Sequence, residues 1–110
     1  MNFDQFPSSQ ENLKITREEV IESIKNNPED REKLGQFVDQ LQGEVVEGKF
    51  DETEMSRQIA DLYYELAKTV GGEWQEFAIE ALEDLRMIAN QFGNENLLAE
   101  ANAKLDELEK

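Results

Sequence analysis

Apolar residues in this chain recur at intervals of three and four almost from end to end, and no stretch alternates apolar with polar. That periodicity restricts the fold to packed α-helices. A stripe at 3.6-residue spacing faces a core only when the backbone is helical, whereas a strand needs a period of two. The pattern is densest over 57–92, RQIADLYYELAKTVGGEWQEFAIEALEDLRMIANQF, which holds the only Trp and both Tyr. Two amphipathic stretches are joined there at Gly71-Gly72, so the core is expected to form around this hairpin.

Start and stop signals divide the rest. Thr16 and Glu19 stand in capping-box spacing, flanked by Ile15 and Val20 at the positions of a hydrophobic staple, and they open a first helix over 16–27. Asn26-Asn27-Pro28 closes it, because the residue before a proline resists helical geometry. Pro28 also suits the first turn of a second helix over 28–47, with Asn27 as its cap and Glu29, Asp30 and Glu32 near the positive end of the dipole. Leu34, Phe37, Val38, Leu41 and Val45 form its stripe. Gly35 and Gly43 weaken it, Gly43 as a kink or early end, and Gly48 is the latest plausible stop.

Phe50, Asp51, Glu54 and Met55 repeat the cap and the staple ahead of a third helix over 52–70, whose apolar positions are Met55, Ile59, Leu62, Tyr63, Leu66 and Val70. A fourth helix over 73–92 has the widest apolar face: Trp74, Phe77, Ala78, Ala81, Leu82, Leu85, Ile88, Ala89 and Phe92. Gly93-Asn94 ends it and caps a fifth over 95–109, carrying Leu97 or Leu98, Ala101, Leu105 and Leu108. The expected fold class is all-α, a compact antiparallel bundle or array of four to five helices with short connections. Residues 1–14, with Pro7, Ser8 and Ser9, read as a mobile tail ahead of a single domain over 15–110. Phe3 and Phe6 there either fold back on the domain or dock on a partner. A shift of 34 residues sets Leu62 on Asn96 and Val70 on Lys104, so the tetratricopeptide period is absent.

Composition narrows the chemistry. With neither Cys nor His in its 110 residues, the chain has no disulfides, no zinc site of the usual Cys/His kinds and no nucleophile–histidine pair. Its 26 acidic against 11 basic residues give a net charge of −15, which opposes direct binding of nucleic acid phosphates. No run of about 18 apolar residues could span a membrane, and the first ten residues lack a secretory signal, so a cytoplasmic location is expected. The one enzymatic chemistry that these residue types suit is Mg²⁺-dependent hydrolysis of nucleotide pyrophosphates by carboxylate clusters. Glu18-Glu19 with Glu22, and Glu80 with Glu83 and Asp84, are its candidates. In so acidic a chain such clusters arise by chance, and no Lys or Arg cluster stands beside them to grip phosphate.

The negative charge is spread over the predicted helices rather than gathered into a tail, and this favours a folded acidic surface that attracts a basic partner. Tyr64 is predicted almost opposite the buried stripe of the third helix, among Arg57, Asp61 and Lys68, where it suits an interface anchor. The polar side of the fourth helix collects Glu73, Glu76, Glu80, Glu83 and Asp84 around Met87. Glu76 with Glu80, and Glu80 with Asp84, are like-charge pairs at i,i+4, each unfavourable by roughly 0.2–0.5 kcal/mol. Stability alone would favour alternating Glu with Lys there; the bland alternative is an ordinary solvated face.

The expected function is therefore that of a non-enzymatic acidic interaction protein that binds a basic protein surface, as an inhibitor, immunity protein or nucleic-acid mimic. The expected binding residues are Tyr64, Glu73, Glu76, Glu80, Glu83, Asp84 and Met87, with no metal or cofactor. A helical adaptor or chaperone that takes a partner's peptide or helix is the alternative, and a homodimer with Tyr64 or Met87 at its twofold is a third reading.

Overall fold

The computed structural model describes residues 14–109. Five helices follow one another, α1 Arg17–Asn26, α2 Glu32–Val46, α3 Glu52–Thr69, α4 Glu73–Phe92 and α5 Glu95–Leu108, and no strand occurs among the described residues. The all-α class read from the periodicity is the observed one. The expected tail, with Phe3 and Phe6, lies outside the described residues apart from Lys14, whose ammonium is 3.1 Å from Glu44.

Three helices open on the side chains that the sequence nominates. Thr16 Oγ1 accepts from the Glu19 amide at 3.1 Å while Glu19 Oε1 accepts from the Thr16 amide at 3.0 Å, completing the capping box of α1. Asp51 caps α3 by accepting from the Glu54 amide at 2.9 Å, and Asn94 caps α5 by accepting from the Leu97 amide at 3.1 Å. Each side chain satisfies one backbone donor that the first helical turn leaves without a partner.

The start of α2 departs from expectation. Asn27, Pro28, Glu29 and Asp30 form a β-turn closed by the Asp30 amide on the Asn27 carbonyl at 2.9 Å. The Asn27 side chain accepts from Glu29, and Asp30 Oδ1 accepts from Glu32. Pro28 presets φ as readily for the second position of such a turn as for a first helical turn. The Asx bonds from Asn27 and Asp30 decide for the turn, so the helix opens four residues later than read, at Glu32, without a side-chain cap. Neither Gly35 nor Gly43 interrupts α2, which ends at Val46 just before Gly48.

Between α3 and α4 the reversal is as tight as the sequence implied. Gly71 and Gly72 take φ of 80° and 62°, values that a side chain strongly disfavours.

Two apolar clusters lie side by side. Val20 and Ile24 of α1, Phe37 and Leu41 of α2, Leu62 and Leu66 of α3 and Trp74 of α4 make one. Ala60 of α3, Ala78, Leu82, Leu85 and Ala89 of α4 and the buried side of α5 make the other. The second uses small residues, with Ala60, Ala78, Ala89 and Ala101 all buried, which lets those helices approach closely. Tyr63 and Ala67 of α3 pack against both. Residue extents of 55 × 34 × 14 Å describe a slab. Its thickness corresponds to about two helix layers at the usual 8–10 Å between axes.

Side-chain amides fasten two seams. Gln40 both accepts from the Ile15 amide at 2.9 Å and donates to the Ile15 carbonyl at 2.8 Å, fixing the chain leading into α1 against α2. Gln75 donates to the Leu108 carbonyl at 2.8 Å, supplying a partner to one of the carbonyls that the last turn of α5 cannot satisfy itself.

Candidate partner-binding surface

The outer face of α4 follows from helical geometry. Trp74, Ala78, Leu82, Leu85 and Ala89 are its buried side, and at 100° per residue Glu76, Glu80, Glu83 and Met87 fall opposite them, with Glu73 and Asp84 towards one edge. All six are exposed, Met87 at 68 %. Glu73 pairs with Arg31 at 2.7 Å. Glu76, Glu80, Glu83 and Asp84 have no ion-pair partner among the described residues.

Cations are concentrated elsewhere. Along the seam of α3 and α5, Arg57 binds Glu100 at 3.0 Å and Glu54 at 3.2 Å, while Lys104 binds Asp61 and lies 3.4 Å from Glu100. Burial alone would lower the Arg57 pKa, but the bond and charge of Glu100, with Glu54 and Asp61, hold it above the ordinary guanidinium value. Tyr64 belongs to this seam. Its ring is half-buried against the α3–α4–α5 cluster, with the Lys68 and Lys104 ammonium groups 5.0 and 5.4 Å from its centroid. It stands apart from the α4 carboxylates, so the structure divides the expected binding residues into two surfaces. The outward ring that α3 would present alone is flanked by α5, a neighbour that helical phase within α3 could not reveal.

The edge of α4 nearer α3 and α2 bounds a groove of about 470 Å³. Ser56, Ile59 and Tyr63 of α3 line it, with Leu34 of α2, Arg31 just before α2, and Trp74, Phe77, Glu80, Ala81 and Asp84 of α4. The α2 and α4 backbones each pack on α3 but do not approach one another. Three aromatic rings cluster at one end: Trp74 meets Phe77 edge-on at 5.4 Å, and Tyr63 lies 5.7 Å from Trp74 and 6.5 Å from Phe77. Arg31 lays its guanidinium 4.4 Å from the Trp74 centroid while it holds Glu73. Burial pushes the Tyr63 phenol pKa up, and the Arg31 charge offsets part of that rise. Trp74 is only 2 % exposed, and its buried Nε1 finds no acceptor among the described residues.

Glu80 and Asp84 therefore belong both to the acidic face and to the groove, whereas Glu76, Glu83 and Met87 point past it. Sequence reasoning assigned Ile59, Tyr63, Phe77 and Ala81 to the core and left Arg31 without a role. The available signal was the breadth of the apolar face of α4. It exceeds what α3 and α5 cover, leaving Phe77 at the surface, Ile88 half-buried and Phe92 70 % exposed at the helix end. As for the enzymatic candidates, Glu18, Glu19 and Glu22 lie exposed on α1 with Glu19 engaged in the cap, and no three carboxylates converge to hold a metal ion among the described residues. No helix among them is long and apolar enough to cross a membrane. No protein-family model matches this chain, and no curated protein or solved structure does either.

Proposed function

We propose that this chain is a non-enzymatic, cytoplasmic interaction protein that captures a basic protein surface with the acidic face of α4. The observation that supports this is the contrast between two faces of one molecule. On the α3–α5 seam carboxylates are matched by Arg57 and Lys104, whereas Glu76, Glu80, Glu83 and Asp84 stand exposed along one stretch of a single helix, unpaired among the described residues. Like charges held this close repel. A basic partner converts that repulsion into attraction and is steered towards the face from beyond contact distance, up to the Debye length of about 8–10 Å. Occupying a basic surface that otherwise holds DNA or RNA makes the protein an inhibitor or nucleic-acid mimic. The groove lends support to the adaptor reading, in which a peptide or helix of the partner is held.

The test is affinity capture from native cell extract at low and high salt, using the chain and its Glu76→Gln/Glu80→Gln/Glu83→Gln variant. The chain is expected to retain a basic protein that high salt releases and that the variant fails to retain. Equal capture by the two at low salt would remove the reading.

A further inference from the structure

We infer that the groove between α2 and α4 is the seat of an amphipathic helical segment of a partner, one whose apolar face is bordered by Lys or Arg. This deepens the acidic-face reading and rests on it. The floor and one wall of the groove share a register. Ser56, Ile59 and Tyr63 stand at i, i+3 and i+7 on α3, and Phe77, Ala81 and Asp84 at i, i+4 and i+7 on α4. Seven residues of helix rise about 10.5 Å, so both lines offer two turns of contact, the spacing that a docked helix reads with its own i, i+3/i+4 and i+7 anchors.

Charge selects the occupant. Glu80 stands one turn beyond Phe77 and Asp84 at the far end of the same wall, neither with a cation of its own among the described residues, and the one basic lining residue, Arg31, is already held by Glu73 and stacked on Trp74. An apolar side chain that enters among Phe77, Ile59 and Tyr63 brings its neighbours on the same helix within reach of those carboxylates, and these neighbours must be basic. The acidic wall also continues past the groove to Glu76 and Glu83, farther than a small cationic ligand could cover. A second copy of this chain would bring a further net charge of −15 to the same place. The chain's own residues 1–13 carry Asp4 and Glu11 but neither Lys nor Arg.

The probe is a Leu/Lys amphipathic peptide of about 15 residues, long enough to be helical once bound. A Ser/Lys peptide of equal charge and a Leu/Glu peptide of opposite charge serve as controls. Binding is followed by calorimetry and by emission of Trp74, the only tryptophan. Ser56→Phe fills the floor and Phe77→Ser strips the wall, with circular dichroism confirming that each variant stays helical. The Leu/Lys peptide is expected to bind and to shift Trp74 emission. Either groove variant is expected to weaken it roughly tenfold or more, the scale of one lost anchor, with the weak, salt-sensitive Ser/Lys binding unchanged. Glu80→Gln/Asp84→Asn is expected to weaken both basic peptides, and the Leu/Glu peptide is expected not to bind.

Leu/Lys binding that survives both groove variants but is lost in Glu80→Gln/Asp84→Asn overturns the groove inference and leaves the acidic face standing. If neither basic peptide binds at low salt, both readings fall. Two results show another occupant and overturn the inference: a dimer by light scattering that Ser56→Phe dissociates, or Leu/Lys binding that appears only in the full chain carrying Phe3→Ser/Phe6→Ser.

Discussion

Replacing Glu80 with lysine should strengthen the fold while it weakens capture. Glu80 sits one helical turn from Glu76 on one side and from Asp84 on the other, all three exposed and none paired among the described residues. The substitution turns three like-charge pairs into attractive ones, with Glu76 and Asp84 at i,i+4 and with Glu83 at i,i+3, each repulsion removed and each attraction gained being worth roughly 0.2–0.5 kcal/mol. An acid placed N-terminal to its base is the better orientation, so the new ammonium gains more from Glu76 than from Asp84, and the net gain is about 1 kcal/mol or more. For 110 residues, an unfolding entropy of about 2.1 cal/mol/K per residue converts this to a rise of about 4 °C or more in Tm. Glu83→Lys is the matched control. It exchanges repulsion from Glu80 for attraction but loses attraction to Arg86, each at i±3, so its net effect is close to zero.

Both variants change the charge of the acidic face by the same amount, so both should weaken capture of a basic partner although only one raises Tm. Thermal melts by circular dichroism at low salt, repeated in about 0.5 M NaCl where the Debye length falls to roughly 4 Å, should show the Glu80→Lys gain and then its shrinkage. A Glu80→Lys variant no more stable than the parent at low salt would refute the claim that these carboxylates repel one another unrelieved.

Other substitutions probe the scaffold. Gly35→Ala and Gly43→Ala should each stabilise the chain by roughly 0.5–1 kcal/mol, because both lie within α2 and an added Cβ meets nothing within 4 Å; their urea midpoints should rise additively. Lys104→Met should cost about 1–2 kcal/mol by leaving Asp61 without its ion-pair partner, since the Asp61 and Lys104 side chains are only 16 % and 23 % exposed. Adding Asp61→Asn should recover much of that loss in a double-mutant cycle. Alkaline pH tests Tyr63, whose phenol burial holds above its ordinary value of 10.0 against the opposing Arg31 charge. The folded chain keeps this proton after the unfolded chain has released it, so stability is intact below about pH 10, falls above it, and levels off once the folded phenol ionises. Tyr63→Phe should flatten that fall in an alkaline denaturation series.

What the sequence disclosed depended on the range of the forces involved. Capping boxes and apolar periodicity are local, so Thr16, Asp51 and Asn94 could be read as caps and the chain divided into four to five helices before any packing was known. The Asn27–Asp30 turn escaped because Pro28 fits the turn and the helix start equally well, and the bonds that decided between them come from side chains of ordinary turn composition. Tyr64 escaped for a different reason: phase within α3 gives the direction of the ring from its own axis but not the helix beside it. Arg31 acquires its role only in three dimensions, from Trp74 and Glu73 more than forty residues away. The acidic face of α4 was legible because charge opposite a buried stripe needs only helical phase. The groove needed the knowledge that α2 and α4 flank α3 without meeting.

The two clusters that share α3 also set how the molecule opens. The α1–α2 pair is fastened mainly along one side of α3, so it can detach as a unit at a lower free energy than global unfolding, and its amides should exchange with solvent sooner than those of α4. The groove crosses that line of weakness, with Leu34 on the side that detaches and Phe77 and Ala81 on the side that remains. An occupant touching both would hold them together, adding to the opening free energy of α1 and α2 by an amount that grows with the logarithm of its concentration over Kd. Slowed exchange in helices that carry none of the acidic face would then be the most distant sign of a partner bound.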